Sequence, residues 1–260
     1  MYYCSLGAYY PTIYFIGFSS FIIFGDILIN HDDKIHKYKY PFWLDFPIYI
    51  NLPLLILFLM MVVFVFSKNG SNFLSLFFFN YLNIDLLSFR ESINLIDKIS
   101  LVALSSLFIG IMGTVPGHEL SHRINNKYDL FIGSWLLSLS WDCAFAIEHV
   151  YGHHKNVALP KDPATARRGD NIYKFIINAI INEQRDAWQI EKKRLKSKSL
   201  HVLGFNNKLI KGYMKSVSIS ILSYLVGGFA GLLIFLMCAF IAKALLEVIN
   251  FTEHYGLIRV

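Results

Sequence analysis

Three short clusters that pair histidine with an adjacent glutamate are the part of this sequence best suited to chemistry. Their histidines are His118, His122, His149, His153, His154 and His254. Imidazole is the commonest metal ligand among side chains, and sets of imidazoles suit iron, zinc or copper. The clusters therefore predict a metal centre, although ligand type alone does not name the metal.

The spacing within the clusters predicts which imidazoles share a metal ion. His118 and His122 are four residues apart, so they lie on one face if the preceding helix continues through them. His149 and His153 have the same spacing. His154 would point about a third of a turn away, which predicts that it binds a second ion.

Carboxylates next to metal-bound imidazoles commonly accept their second N–H and fix the ring orientation. Glu119, Glu148 and Glu253 are placed for this role by their position beside the histidines. Asp162 has two interpretations, either the same supporting role or a cap for the turn that follows it.

His118-Glu119-Leu120-Ser121-His122 also matches the HExxH signature of zinc metalloproteases, in which the glutamate is the general base. An intramembrane zinc protease would use these two histidines and one further ligand. The remaining histidines of the clusters would then have no function, so this interpretation is the less favoured one.

The composition predicts an integral membrane protein built from helices. Of the 260 residues, 55% are hydrophobic and only 16% are charged, and the mean hydropathy is +0.47. Soluble domains have roughly 25% charged residues. These values exclude a disordered chain, a coiled coil and a small disulfide scaffold. The three cysteines lie far apart, which excludes a thiolate metal site.

Apolar stretches of about 20 residues predict one all-α integral membrane domain over residues 1–260. We expect 129–147 to be an interfacial or re-entrant helix, because a span there would put the flanking histidine clusters on opposite faces. Residues 150–213 are rich in Lys and Arg, so we expect them to form a cytoplasmic loop. The expected spans are 12–30, 47–66, 99–116 and a glycine-interrupted hairpin of 214–230 and 232–250.

The histidine clusters and their flanking residues resemble the membrane-bound alkane 1-monooxygenases of the fatty acid desaturase-like superfamily. Residues 117–123 are similar to the first histidine box of that family, and residues 148–169 to its second box and following loop. Residues 250–257, Asn-Phe-Thr-Glu-His-Tyr-Gly-Leu, resemble the motif that separates alkane hydroxylases from desaturases.

The resemblance implies a cytoplasmic di-iron site, held by the six histidines, that uses O2 to hydroxylate the terminal methyl group of an alkane. It implies electrons from rubredoxin and rubredoxin reductase, a hydrophobic substrate, a lipid environment and the bacterial inner membrane. We expect no nucleic-acid partner. The candidate docking cations for the electron carrier are Arg185, Lys192, Lys193, Arg194 and Lys196.

Alternative functions remain at this stage. A xylene-type methyl hydroxylase shares these boxes, and a fatty acid desaturase or hydroxylase is a further member of the superfamily. The family carries another histidine-rich box downstream of the third motif, whereas the sequence given ends at Val260. We therefore expect a partial sequence, and a non-catalytic fragment if Val260 is the true C-terminus.

Overall fold

The structure, a computed structural model, describes residues 2–29, 39, 42–68 and 72–259. Helices connected by turns make up these ranges, and no strand occurs within them. The all-α prediction is therefore confirmed for the described residues. Asn30, the last residue of the first expected span, lies outside them.

The described helices follow one another along the chain. After a short 3-10 helix at Tyr2–Leu6, they are α1 Tyr10–Leu28, α2 Phe42–Phe66, α3 Asn72–Leu82, α4 Leu86–Ser92, α5 Leu95–Phe108, α6 Val115–His122, α7 Lys127–Ser138, α8 Phe145–Glu148, α9 His154–Asn156, α10 Ile172–Ser197 and α11 Lys208–His254. Two π-helical turns join α5 to α6 and α8 to α9, at Ile109–Thr114 and His149–His153.

In the part of the chain that the structure describes, four helical segments are long and apolar enough to cross a bilayer, and they identify an integral membrane protein. They are Tyr10–Leu28, Phe42–Phe66, Leu95–His122 and Lys208–His254. The third of these comprises α5, the first π-helical turn and α6, and it has 28 residues. Where the bilayer lies along these helices stays a prediction.

The longest helix, α11, reverses direction at a glycine. Gly228 has φ 62° and ψ −156°, a backbone conformation that is essentially restricted to glycine. A Cβ atom built on Gly231 would lie 2.9 Å from the Ser223 carbonyl oxygen. Eight residues span about 12 Å along a straight helix, so this contact requires the chain to turn back on itself.

The region expected to form one interfacial helix over 129–147 is broken in two. Helix α7 has 12 residues, about 18 Å of rise, which is too short for a hydrocarbon core of about 30 Å. Turns follow from Leu139, and Trp141 adopts a φ of 56°. Asp142, in these turns, is fully buried in the protein. The expected cytoplasmic loop 150–213 likewise contains the 26-residue helix α10.

The chain divides into two compact units. The first takes its described residues from 1–107 and 221–237, and the second from 108–220 and 238–260. All six histidines singled out in the sequence belong to the second unit. The candidate site can therefore be described within that unit alone.

Close packing of α6 on α7 holds the first histidine cluster within the second unit. A Cβ atom on Gly117 would lie 2.9 Å from Leu137 Cγ, and one on Gly133 would lie 2.9 Å from Leu120 Cβ. Both distances are shorter than ordinary van der Waals contact. Glycine at these two positions lets the backbones approach closely and fixes the height of His118 against α7.

We expect Gly133→Ala to destabilise the protein by about 1–3 kcal/mol, because overpacking a close helix contact forces backbone shifts. The measurement is the free energy or midpoint of unfolding in detergent. Gly25→Ala is the matched control, because a Cβ atom there meets no other atom within 4 Å. Equal stabilities for the two variants would contradict the close packing of α6 on α7.

Candidate metal centre

The first histidine cluster lies on α6, at the end of the helical segment Leu95–His122. The helix continues through the cluster, as the sequence argument required, and ends at His122. The His118 and His122 rings lie on one face, with centroids 4.8 Å apart. The π-helical turn at Ile109–Thr114 precedes them, and such turns are frequent at functional sites.

The second cluster is shaped by the π-helical turn His149–His153. The His154 backbone N–H donates to the His149 carbonyl, five residues back. This wider turn places the His149 and His154 rings together, with their Nε2 atoms 2.9 Å apart. Two nitrogens that bind one ion at about 2.1 Å and at right angles lie about 3 Å apart, so this spacing suits a shared ion.

The two clusters meet as one group of four imidazoles. Ring centroids are 4.4 Å apart for His118 and His149, and 4.9 Å apart for His122 and His154. One nitrogen from each of the four rings lies within 4.8 Å of the others. His118 and His149 are half-buried, whereas His122 and His154 are exposed.

The pairing within the second cluster differs from the sequence prediction. We expected His149 to pair with His153 and His154 to face a second ion. The prediction assumed an α-helical turn, in which residues four apart share a face. The π-helical turn contains one more residue, so the His154 Nε2 atom also reaches His149 Nε2. The His153 ring still stacks on His149, with centroids 5.2 Å apart, while its Nδ1 atom binds Asp162.

His153 and His254 form a second pair of imidazoles. The His153 Nδ1 atom lies 2.9 Å and 3.2 Å from the two carboxylate oxygens of Asp162. The His153 and His254 ring centroids are 4.8 Å apart. His254 Nδ1 is buried without a hydrogen-bond partner, as is Glu148 Oε1. An unpaired buried imidazole nitrogen is costly unless a ligand uses it, and a metal ion fits that need.

The four carboxylates predicted to support the histidines have different surroundings. Asp162 is buried, contacts His153 Nδ1 and also accepts hydrogen bonds from Thr165 Oγ1 and the Ala164 backbone N–H. Glu119 is exposed and pairs with Arg123 at 3.3 Å. Glu253 is exposed, and it makes no hydrogen bond to a described histidine. Glu148 is buried beside Gly152.

Burial and crowding favour neutral imidazoles in the second cluster. Burial, with smaller contributions from the neighbouring imidazoles, lowers the pKa of His149 to about 2. The same causes lower the pKa of His154. Burial is the largest single effect on His153 and would lower its pKa. The hydrogen bond to Asp162, together with the charges of Asp162, Glu148 and Glu247, outweighs burial and raises that pKa. Neutral imidazoles present the lone pair that a metal ion requires.

Burial also raises the pKa of Glu148 to about 8, with the Asp162 carboxylate adding to the shift. The Glu148 carboxyl group is therefore mainly protonated at neutral pH when no cation lies beside it. Its unpaired Oε1 and the unpaired His254 Nδ1 are buried polar atoms that a bound cation would satisfy. These features fit a metal ion in this part of the unit.

A buried charged cluster in the same unit was not predicted from the sequence. Lys243 Nζ lies 2.9 Å from Asp142 Oδ2, 2.7 Å from Glu183 Oε2 and 2.6 Å from Glu247 Oε1. All four side chains are buried. Lys243 and Glu247, four residues apart in an apolar helix, were the signal that could have revealed it, since charges within such helices are rare and paired.

The buried ring of Phe145 connects this charged cluster to the imidazoles. It stacks on His149 with centroids 4.4 Å apart and meets His118 edge-on at 5.4 Å. Lys243 Nζ lies 5.8 Å from the same ring. The charged cluster therefore fixes the α11 and α10 segments behind an apolar wall of the site.

Comparison with known proteins identifies the class to which this site belongs. The family model described as "Fatty acid desaturase" matches residues 99–259, more than half of the chain. The chain therefore belongs to the fatty acid desaturase family. The matched range contains all six histidines of the site.

Within that class, the chain is similar to alkane 1-monooxygenases, which confirms the resemblance seen in the three boxes. It is 38% identical over 151 residues to alkane 1-monooxygenase 1 of Pseudomonas aeruginosa, covering 58% of this chain and 39% of the relative. It is 35% identical over 165 residues to alkane 1-monooxygenase 2 of Alcanivorax borkumensis, covering 64% and 43%.

A third relative has a different name. The xylene/toluene monooxygenase hydroxylase component XylM of Pseudomonas putida is 32% identical over 158 residues, covering 60% of this chain and 42% of the relative. The matches thus span about two fifths of the length of these curated relatives.

We expect Asp162→Asn to weaken metal binding by about 10–100-fold, because the amide no longer accepts the His153 N–H with a full charge. Glu253→Gln is the comparison variant and should change metal affinity less than about twofold, since Glu253 contacts no described histidine. The measurement is competitive metal titration against a chelator. Equal weakening by both variants would contradict the different roles that the structure gives these carboxylates.

Proposed function

We propose that this protein is a non-haem di-iron monooxygenase that hydroxylates the terminal methyl group of alkanes to primary alcohols with O2. The observation that carries the proposal is the group of four imidazoles from two separate histidine boxes, with ligand atoms within 4.8 Å. Similarity to relatives named alkane 1-monooxygenases supports the same function.

The residues available for two ions fall into two sets. His118, His122, His149 and His154 would hold one ion, and His153 with His254 would contribute to the other. Iron bound there would supply the activation of O2 and the cleavage of an unactivated C–H bond, chemistry that no amino-acid side chain provides.

The protein residues orient the ligands and exclude water. Asp162 accepts from His153 Nδ1 and so leaves Nε2 as the atom free to face an ion. The buried Phe145 ring covers His149 and His118 on one side. An apolar wall at this position keeps water from the reacting centre.

The substrate is proposed to be a hydrophobic chain that enters from the membrane lipid. An alkane has no polar group, so its recognition depends on the shape of an apolar passage. A hydrophobic pocket discriminates by only about 1–3 kcal/mol per methylene. We therefore expect alkanes of several lengths to react.

Rubredoxin, reduced by rubredoxin reductase, is the proposed electron donor, with the metal site on the cytoplasmic side of a bacterial inner membrane. Of the candidate docking cations, Lys193 and Lys196 are exposed on α10. Arg194 is instead committed within the protein, because it binds both Glu191 oxygens and the Asn206 carbonyl. Arg185 lines a polar cavity of about 680 Å³ that reaches Asp162.

A methyl hydroxylase of the xylene type is the second candidate, because XylM matches the same part of the chain. The zinc protease interpretation loses its main support in the structure. The glutamate of the HExxH motif, Glu119, is 56% exposed and pairs with Arg123 at 3.3 Å. The HExxH histidines also share their site with His149 and His154.

We expect His122→Ala to reduce alkane hydroxylation by more than about 100-fold, because loss of a ligand should exceed the effect of losing its supporting partner. Glu119→Gln should retain activity within about fivefold, since it removes only an exposed ion pair. The measurement is O2-dependent formation of 1-octanol from octane by the whole protein in membranes supplied with rubredoxin and its reductase.

Two outcomes would contradict the proposed function. An inactive Glu119→Gln together with metal-dependent peptide cleavage by the unchanged protein would favour the protease. Oxidation of xylene but not of octane would favour the aromatic methyl hydroxylase.

A further inference from the structure

A small apolar cavity in the second unit has no imidazole among its described lining residues, although Ser121 and Tyr151 of the first and second histidine clusters line it. It has a volume of about 240 Å³ and is bounded by α7, the 143–147 segment and the first turns of α11. Its apolar lining includes Leu130, Phe131, Leu137 and Ile147. Nothing in the proposed oxidation of an alkane uses it.

Three lysines of α11 line the same cavity. Lys208, Lys211 and Lys215 are spaced three and four residues apart, so they follow one face of the helix. No carboxylate is among the described residues that line the cavity. Glu191, whose Oε1 accepts from the Lys208 backbone N–H, is already paired with Arg194 at 2.6 Å.

The innermost lysine is held beside aromatic rings. Lys215 donates a hydrogen bond to Ser134 Oγ, and its Nζ atom lies 5.1 Å from the Phe131 ring and 5.4 Å from the Trp135 ring. Its ammonium group forms no ion pair in the part of the chain that the structure describes. An apolar cavity edged by three lysines that form no ion pair among the described residues is complementary to an anionic amphiphile.

We propose that this cavity binds an anionic phospholipid, with the phosphate on Lys208, Lys211 and Lys215 and the upper part of an acyl chain against the apolar lining. The lysines occupy the first turns of a helix long enough to cross the bilayer, where a lipid headgroup would be present. Basic pockets beside membrane helices attract such headgroups. A neutral alkane gains nothing from the three charges.

The test is lipid retention by the purified protein, measured by native mass spectrometry after exchange with mixed micelles of phosphatidylglycerol and phosphatidylcholine in equal amounts. Wild type should retain phosphatidylglycerol preferentially. In the triple variant Lys208→Met, Lys211→Met, Lys215→Met, the ratio of retained phosphatidylglycerol to phosphatidylcholine should fall at least about tenfold. A matched variant, Lys127→Met, Lys174→Met, Lys198→Met, removes three exposed lysines outside the cavity and should stay within about twofold.

Lys211→Met alone keeps the test decisive if the triple variant fails to fold. Lys211 is exposed, so its replacement should leave folding intact and reduce the preference by about fivefold. Unchanged retention in Lys211→Met and in a folded triple variant would overturn the proposal. Displacement of phosphatidylglycerol by equimolar oleate would overturn it in favour of a fatty-acid carboxylate. Equal loss in the matched variant would show that only net charge matters.

Discussion

The five-residue turn at His149–His153 determines which imidazoles meet. Because His154 donates its backbone N–H to the carbonyl five residues back, its ring lies beside that of His149. The same turn directs His153 to Asp162. The His153 ring still stacks on His149 with centroids 5.2 Å apart, so this turn brings His149 next to both His153 and His154.

The close contact of α6 with α7 and the buried ion pairs of Lys243 hold that turn in place from two directions. Gly117 and Gly133 allow the first box to approach α7, and Lys243 joins α11 to α10 and to the segment that begins the second box. Three carboxylates around one ammonium form a costly arrangement to bury. The site is thus positioned by contacts that are far apart in the sequence.

Much of the architecture could be predicted because membrane helices carry a strong local signal. Apolar length predicted the four long helices, and glycine spacing predicted the reversal within α11. The expectation that the first two histidine clusters share a metal site agrees with the His118 and His149 rings, whose centroids are 4.4 Å apart. The π-helical turns, the break after Ser138 and the partners of Lys243 were missed, because each depends on tertiary contacts that periodicity does not encode.

The most direct test of this account is the iron content of the purified protein, measured by mass spectrometry of the metal, for wild type, His154→Ala and His201→Ala. His201 is exposed and outside the histidine groups, so its variant should match wild type. The account predicts that His154→Ala loses at least about half of the bound iron, because one four-imidazole site is broken. His153→Ala is measured beside them. A wild-type iron content in His154→Ala, with iron lost only from His153→Ala, would contradict the account.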